Sequence, residues 1–135
     1  MKNGKKAKSL LNVGRIHQAQ RRFVKERDWE KFHTPKNLTM ALTGEAAELM
    51  EHFQWLTDET VKTAVLDRKK KQAVSEEIAD VFFYLMRLAD VLQIDVEKAF
   101  WNKMKKNRLK YPASLCKGSV KKYDELQPKK FALEI

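Results

Sequence analysis

The chain has 135 residues, 43% of them hydrophobic and 34% charged, and a formal net charge of +10, which fits one globular domain whose core is completed by another subunit. No apolar run approaches membrane-spanning length, the single cysteine, Cys116, permits no internal disulfide and suits a reducing compartment, and the Lys-rich start lacks the apolar core of a secretory signal, so a cytoplasmic location is expected. The charge is uneven: residues 1–27 hold nine Lys/Arg against one acid, residues 28–102 nine against fourteen, and residues 103–130 ten against two. An acidic middle between basic ends suits a cation site handling a polyphosphate, with nucleic-acid binding as the rival explanation.

Residues 1–9 are polar and basic and are expected to form a mobile arm. Val13, Ile16, Ala19, Phe23 and Val24 then follow helical spacing, which predicts a helix ending near Trp29 or Phe32. Thr34 and Pro35 supply an N-cap and a first helical residue for a second helix reaching about Trp55. Residues 58–71 are polar, end in Arg68-Lys69-Lys70-Lys71, and read as a connection with a short helix around 61–66. A third helix is predicted over about 72–92, and Asp95 caps a fourth over 96–109, which Pro112 ends. The stretch after Pro112 has no sustained period, and residues 116–135 are expected to be a tail or an arm packing on a neighbour. No internal repeat, Gly-rich phosphate loop or alternating strand pattern is present. The expected fold is therefore all-α, a bundle of about four main helices over residues 10–115.

Two acid pairs stand out. Glu45 and Glu48 lie three residues apart, as do Glu77 and Asp80, so each pair projects from one helix face. Both sit within apolar runs, 38–56 and 78–92. A single such pair is ordinary on an exposed helix, but these share their stripes with Leu38, Leu42, Leu49 and His52, and with Val81, Tyr84 and Leu88. Four acids facing one another across packed helices repel and are costly to desolvate unless a cation lies between them. All-oxygen ligation points to Mg²⁺, with Mn²⁺ as a substitute, rather than zinc. Glu51 and Glu76 fall off these faces and are expected in solvent. A di-iron bundle would need Glu-x-x-His pairs, and neither pair has one. His52, one turn after Glu48, reads as a satisfied face histidine, and Trp101 as core.

Further motifs appear in order: Trp29-Glu30-Lys31-Phe32-His33-Thr34-Pro35-Lys36-Asn37-Leu38, Gly44-Glu45-x-x-Glu48-Leu49 with Phe53-Gln54-Trp55, Glu77-x-x-Asp80-Val81 with Tyr84-Leu85, and Lys103-Met104-x-x-Asn107-Arg108-x-x-Tyr111-Pro112. Together they resemble the all-α nucleotide pyrophosphohydrolases, the MazG-like superfamily, and within it the dCTP pyrophosphatase branch. The resemblance spans about residues 10–115. It implies a helical bundle that forms a homo-oligomer, dimer or tetramer, and that cleaves a deoxynucleoside triphosphate to monophosphate and pyrophosphate in nucleotide-pool house-cleaning. It further implies that Glu45, Glu48, Glu77 and Asp80 hold Mg²⁺ and carry catalysis. Trp29 and Trp55 would shape the base pocket, with Tyr84 also at the substrate. Lys103, Asn107, Arg108 and Tyr111 would grip the triphosphate. Close eukaryotic members have a histidine nine positions before the first motif tryptophan, where this chain has Gln20. An amide offers a donor and an acceptor to a base but no charge near neutral pH, so dCTP or a related or modified dNTP is the expected substrate, with no fixed preference for cytosine.

The alternatives are a basic helical nucleic-acid-binding protein, which leaves four acids on apolar faces unexplained, and a regulatory relative that binds a nucleotide without turnover, against which intact carboxylates argue.

Overall fold

A computed structural model of the chain describes residues 11–64 and 67–126. Its elements are α1 (Val13–Lys25), a 3₁₀ turn (Glu30–Phe32), α2 (Pro35–Glu51), α3 (Asp58–Ala64), α4 (Arg68–Val91), α5 (Val96–Lys110) and two single-turn helices, α6 (Ala113–Cys116) and α7 (Tyr123–Leu126). No strand occurs among the described residues, and the fold is all-α. No helix among them is long and apolar enough to cross a membrane. The chain divides into two compact units, one up to Ile94 and one from Asp95 onward. The expected basic arm lies outside the described residues.

Helix boundaries follow local chemistry. The Asn12 side chain accepts from the Arg15 amide at 2.9 Å and starts α1. The predicted run to Trp29 or Phe32 is interrupted because Asp28 adopts a left-handed conformation, φ 53°, which a short polar side chain tolerates. The Trp29 amide turns back to the Val24 carbonyl at 3.0 Å, closing the helix end. Thr34 accepts from the Asn37 amide at 3.2 Å, and the Asn37 side chain donates to the Phe32 carbonyl at 3.0 Å, so the turn and the start of α2 are locked together. The second helix stops at Glu51, a turn before the expected Trp55, where the Phe53 and Gln54 amides both close onto the Met50 carbonyl. At the other end of the expected connection α4 begins four residues early. Asp67 caps it by accepting from the Lys70 amide at 3.2 Å, so the basic run is helical, as unbranched lysines readily are. Asp95 caps α5 at 2.9 Å from the Lys98 amide.

In the first unit α2 packs along α4, and α1 packs on α4 as well. Val24, Leu38, Met86 and Ala89 form the buried apolar core. A polar knot closes the same region. The Asp90 side chain, 6% exposed, accepts from Arg87 at 2.8 Å and from Arg21, while Arg87 Nε donates to His33 Nδ1 at 3.3 Å. The Arg21 bond holds the Asp90 carboxyl below its usual pKa range against burial, which pushes the other way. Burial and the neighbouring Arg87 hold His33 below the usual imidazole range.

A buried guanidinium left without its acceptor is costly. Asp90→Asn is therefore expected to remove about 2 kcal/mol of stability at neutral pH, read from urea unfolding. Because the folded pKa is depressed, this contribution is present above the unfolded carboxylate value and is lost as pH falls through the folded one. The wild-type and variant midpoints should accordingly converge in acid.

In the second unit no residue of α5 is fully buried. Trp101, expected in the core, is instead 54% exposed and stands edge-on to Phe100 at 5.2 Å. With no residue of its helix fully enclosed, the large rings of α5 remain on the surface of the protomer.

Candidate active site

The helical spacing of the acid pairs becomes a cluster because α2 and α4 are packed side by side. Glu45 and Glu48 from α2 and Glu77 from α4 each bring one carboxylate oxygen within 4.8 Å of the others. Asp80, a turn further along α4, is outside that trio but is close enough to act on Glu45 and on Tyr84 electrostatically. Glu45 has its pKa raised, first by burial and then by Glu48, Asp80 and Glu77. Like charges held together without a neutralising partner produce this signature. Glu51 and Glu76 are exposed, as their positions off the faces implied.

A cleft of about 680 Å³ opens beside the cluster. Glu45 and Asp80 form its acidic side, and Phe23, Trp29, Phe82, Phe83 and Tyr84 much of its apolar wall. The rings are ordered by edge-to-face contacts: Phe23 meets Trp29 at 5.9 Å and Phe83 at 6.0 Å, and Phe83 meets Tyr84 at 5.4 Å. Burial, followed by the charges of Glu45 and Asp80, raises the Tyr84 pKa, so its hydroxyl stays protonated and can donate at neutral pH.

Gln20 lies in the same wall and is 5% exposed. Its Nε2 donates to the Phe83 carbonyl at 2.7 Å, which fixes the amide orientation and leaves Oε1 buried without a partner. Of the residues expected around a base, Gln20, Trp29 and Tyr84 thus share one cleft. Trp55 does not join them: it lies in the turn after α2 and is 87% exposed.

Lys103, Asn107 and Arg108 lie on α5, and Tyr111 caps its end by donating its amide to the Asn107 carbonyl at 2.8 Å. Lys103 and Arg108 are exposed and Asn107 is half-buried. These four belong to the second unit.

Sequence reasoning passed over one contact at the cluster. His52 Nε2 is 3.8 Å from Glu77 Oε1, and its Nδ1 is 3.1 Å from Lys70 Nζ. The one sequence signal for it is the placement of His52 one turn after Glu48. The trio offers only oxygen donors at short mutual distance, a set suited to a hard divalent cation such as Mg²⁺ or Mn²⁺. The uncompensated charge on Glu45 is of the kind that such a cation relieves.

Residues 41–126 match the sequence profile of the MazG-like family, a span that includes both acid pairs and α5. Over 118 residues the chain is 42% identical to dCTP pyrophosphatase 1 of Homo sapiens, covering 87% of this chain and 68% of the relative. The corresponding Rattus norvegicus protein gives the same figures. Among solved structures it is similar to a pyrophosphatase from Archaeoglobus fulgidus, with a TM-score of 0.70 and 41% identity, over 80% of this chain and 99% of that one.

Proposed function

The chain belongs to the MazG-like family, and on that premise we propose that this nucleoside triphosphate pyrophosphatase cleaves a deoxynucleoside triphosphate to its monophosphate and pyrophosphate in a divalent-cation-dependent reaction. The observation that carries the reading is the convergence of Glu45, Glu48 and Glu77, of which Glu45 also lines an aromatic-walled cleft together with Asp80. Acids alone are common on helices, and apolar clefts alone are common between them. Their juxtaposition provides a place for phosphates beside a place for a base.

Glu45, Glu48 and Glu77, with Asp80 adjacent, would hold Mg²⁺ or Mn²⁺. When bound, the cation supplies positive charge to phosphate oxygens and lowers the pKa of a water nucleophile. The chain's own residues do the rest. Trp29 and Phe83 provide faces on which a base can lie. Gln20, its amide nitrogen bonded to the Phe83 carbonyl, adds a fixed polar side chain to the same wall. Tyr84 donates from the acidic side of the cleft. The motif positions of Lys103, Asn107 and Arg108 support a role for them as charge-assisted donors to a triphosphate. House-cleaning of surplus or modified deoxynucleotides is the role that we propose for it, on the strength of its similarity to dCTP pyrophosphatase 1.

The decisive experiment is a screen of pyrophosphate release over the four common and several modified dNTPs with Mg²⁺, with chelator as the control. Release from at least one dNTP, lost with chelator, is expected. No release from any of them would refute the enzyme reading.

We also propose a homo-oligomer, a dimer or a tetramer. Leu38 is buried within the protomer and is not available for an interface, but Met40, Met50, Ile78 and Leu85 of α2 and α4 remain exposed. Large side chains in that number on neighbouring helices favour association. Light scattering at micromolar concentration should give a multiple of the 15.9 kDa chain mass, and a monomer mass would exclude the assembly.

A further inference from the structure

His52 ends α2 as its C-cap, and Lys70 sits in the first turn of α4, so their contact ties the end of one acid-bearing helix to the start of the other. Lys70 is half-buried. A protonated lysine has only donors, so across the 3.1 Å contact His52 Nδ1 must accept. The proton of the neutral imidazole is then on Nε2, the nitrogen 3.8 Å from Glu77 Oε1. That N–H faces the carboxylate and has no lone pair to offer a cation. Consistent with this, His52 is not among the groups whose ligand atoms converge within 4.8 Å.

Building on the pyrophosphohydrolase reading above, we propose that the Lys70–His52 pair is a positioning device that holds the Glu77 carboxylate ready for the divalent cation, and that His52 is not itself a ligand. At 3.8 Å the contact is longer than a closed hydrogen bond, so it contributes little to the stability of the cation-free chain. Its value lies in restricting Glu77, whose free side chain would otherwise have to be ordered when the cation arrives. A histidine N–H set beside a ligating carboxylate is the mirror of the common arrangement in which a carboxylate orients a ligating histidine.

Calorimetric titration of the full chain with Mn²⁺ alone tests this. His52→Leu should weaken Mn²⁺ affinity about tenfold, and Lys70→Met should weaken it in the same direction. His52→Gln can accept from Lys70 with its oxygen and donate to Glu77 with its nitrogen, and should restore most of the affinity. The Mn²⁺ concentration for half-maximal pyrophosphate release should rise in step for His52→Leu, while kcat at saturating metal stays within about twofold. The melting temperature without metal should be unchanged in all three variants. Unchanged Mn²⁺ affinity in His52→Leu, alongside its loss in a Glu48→Gln control, would overturn the positioning role and leave the metal site standing. Loss of all binding in His52→Leu with no rescue by Gln would make His52 a ligand and equally overturn it. Absence of Mn²⁺ binding by the wild-type chain would remove the metal site and this inference together.

Discussion

Glu48→Gln, or Asp80→Asn, is expected to lower pyrophosphate release by at least about a thousandfold, because each removes several kcal/mol of support for charge at the reacting phosphate. Neither should unfold the chain. Glu48 is exposed, as is Asp80, and both act on Glu45 only as repelling charges. In chelator, therefore, the variants should melt at the same temperature as the wild type or higher. The pH dependence has a definite sign. Glu45 is raised above its unfolded value, so the folded chain binds the proton more tightly, and the associated stability is present in acid and lost as pH rises through the folded pKa. Relieving the repulsion recovers part of that loss, and any gain in the variants should grow as pH rises above the carboxylate range. Circular dichroism melts across pH, paired with turnover assays, read both quantities. Substantial residual turnover in both variants with unchanged Mn²⁺ affinity would exclude these acids from metal binding.

The features legible in the sequence are those set by neighbours along the chain. Thr34 and Asp95 cap helices because their side chains reach amides three residues on, a distance that sequence order preserves. The acid pairs were legible for the same reason: i, i+3 spacing puts two carboxylates on one face whatever the tertiary fold. Features that depend on who packs against whom were not. Asp90 meets Arg21 across 69 residues of chain, and His52 meets Lys70 across 18. The basic run 68–71 looked like a connection because its charge suits solvent, yet Asp67 caps a helix through it. The break at Asp28 depends on a backbone conformation that carries no residue signature beyond a tolerant side chain. Trp101 looked like core because it is large and apolar, but burial requires a covering surface, and α5 is not fully enclosed in the protomer.

Lys103→Ala and Arg108→Ala are each expected to lower kcat/KM for the preferred dNTP by about tenfold to a hundredfold, the loss of one charge-assisted contact to the triphosphate. Their solvent exposure on α5 leaves both side chains free of internal structural duty, so the fold should survive. The net charge of +10 makes polynucleotide binding the reading to eliminate, and the same variants do so. A nucleic-acid binder gathers affinity from many phosphates at once, and each lysine lost lowers the salt slope by about one. Removing Lys2, Lys5, Lys6 and Lys8 from the basic start would then matter more than either single change on α5. A pyrophosphohydrolase behaves in the opposite way. The lysines of the basic start would influence only salt-sensitive encounter with an anion, whereas Lys103 and Arg108 would act at the reacting group and their loss would persist at high salt. Steady-state kinetics of the two α5 variants and of the fourfold N-terminal lysine variant, at low and high salt, separate the two. Equal, additive losses across all these basic positions in a polynucleotide-binding assay, without pyrophosphate release from any dNTP, would overturn the enzyme reading.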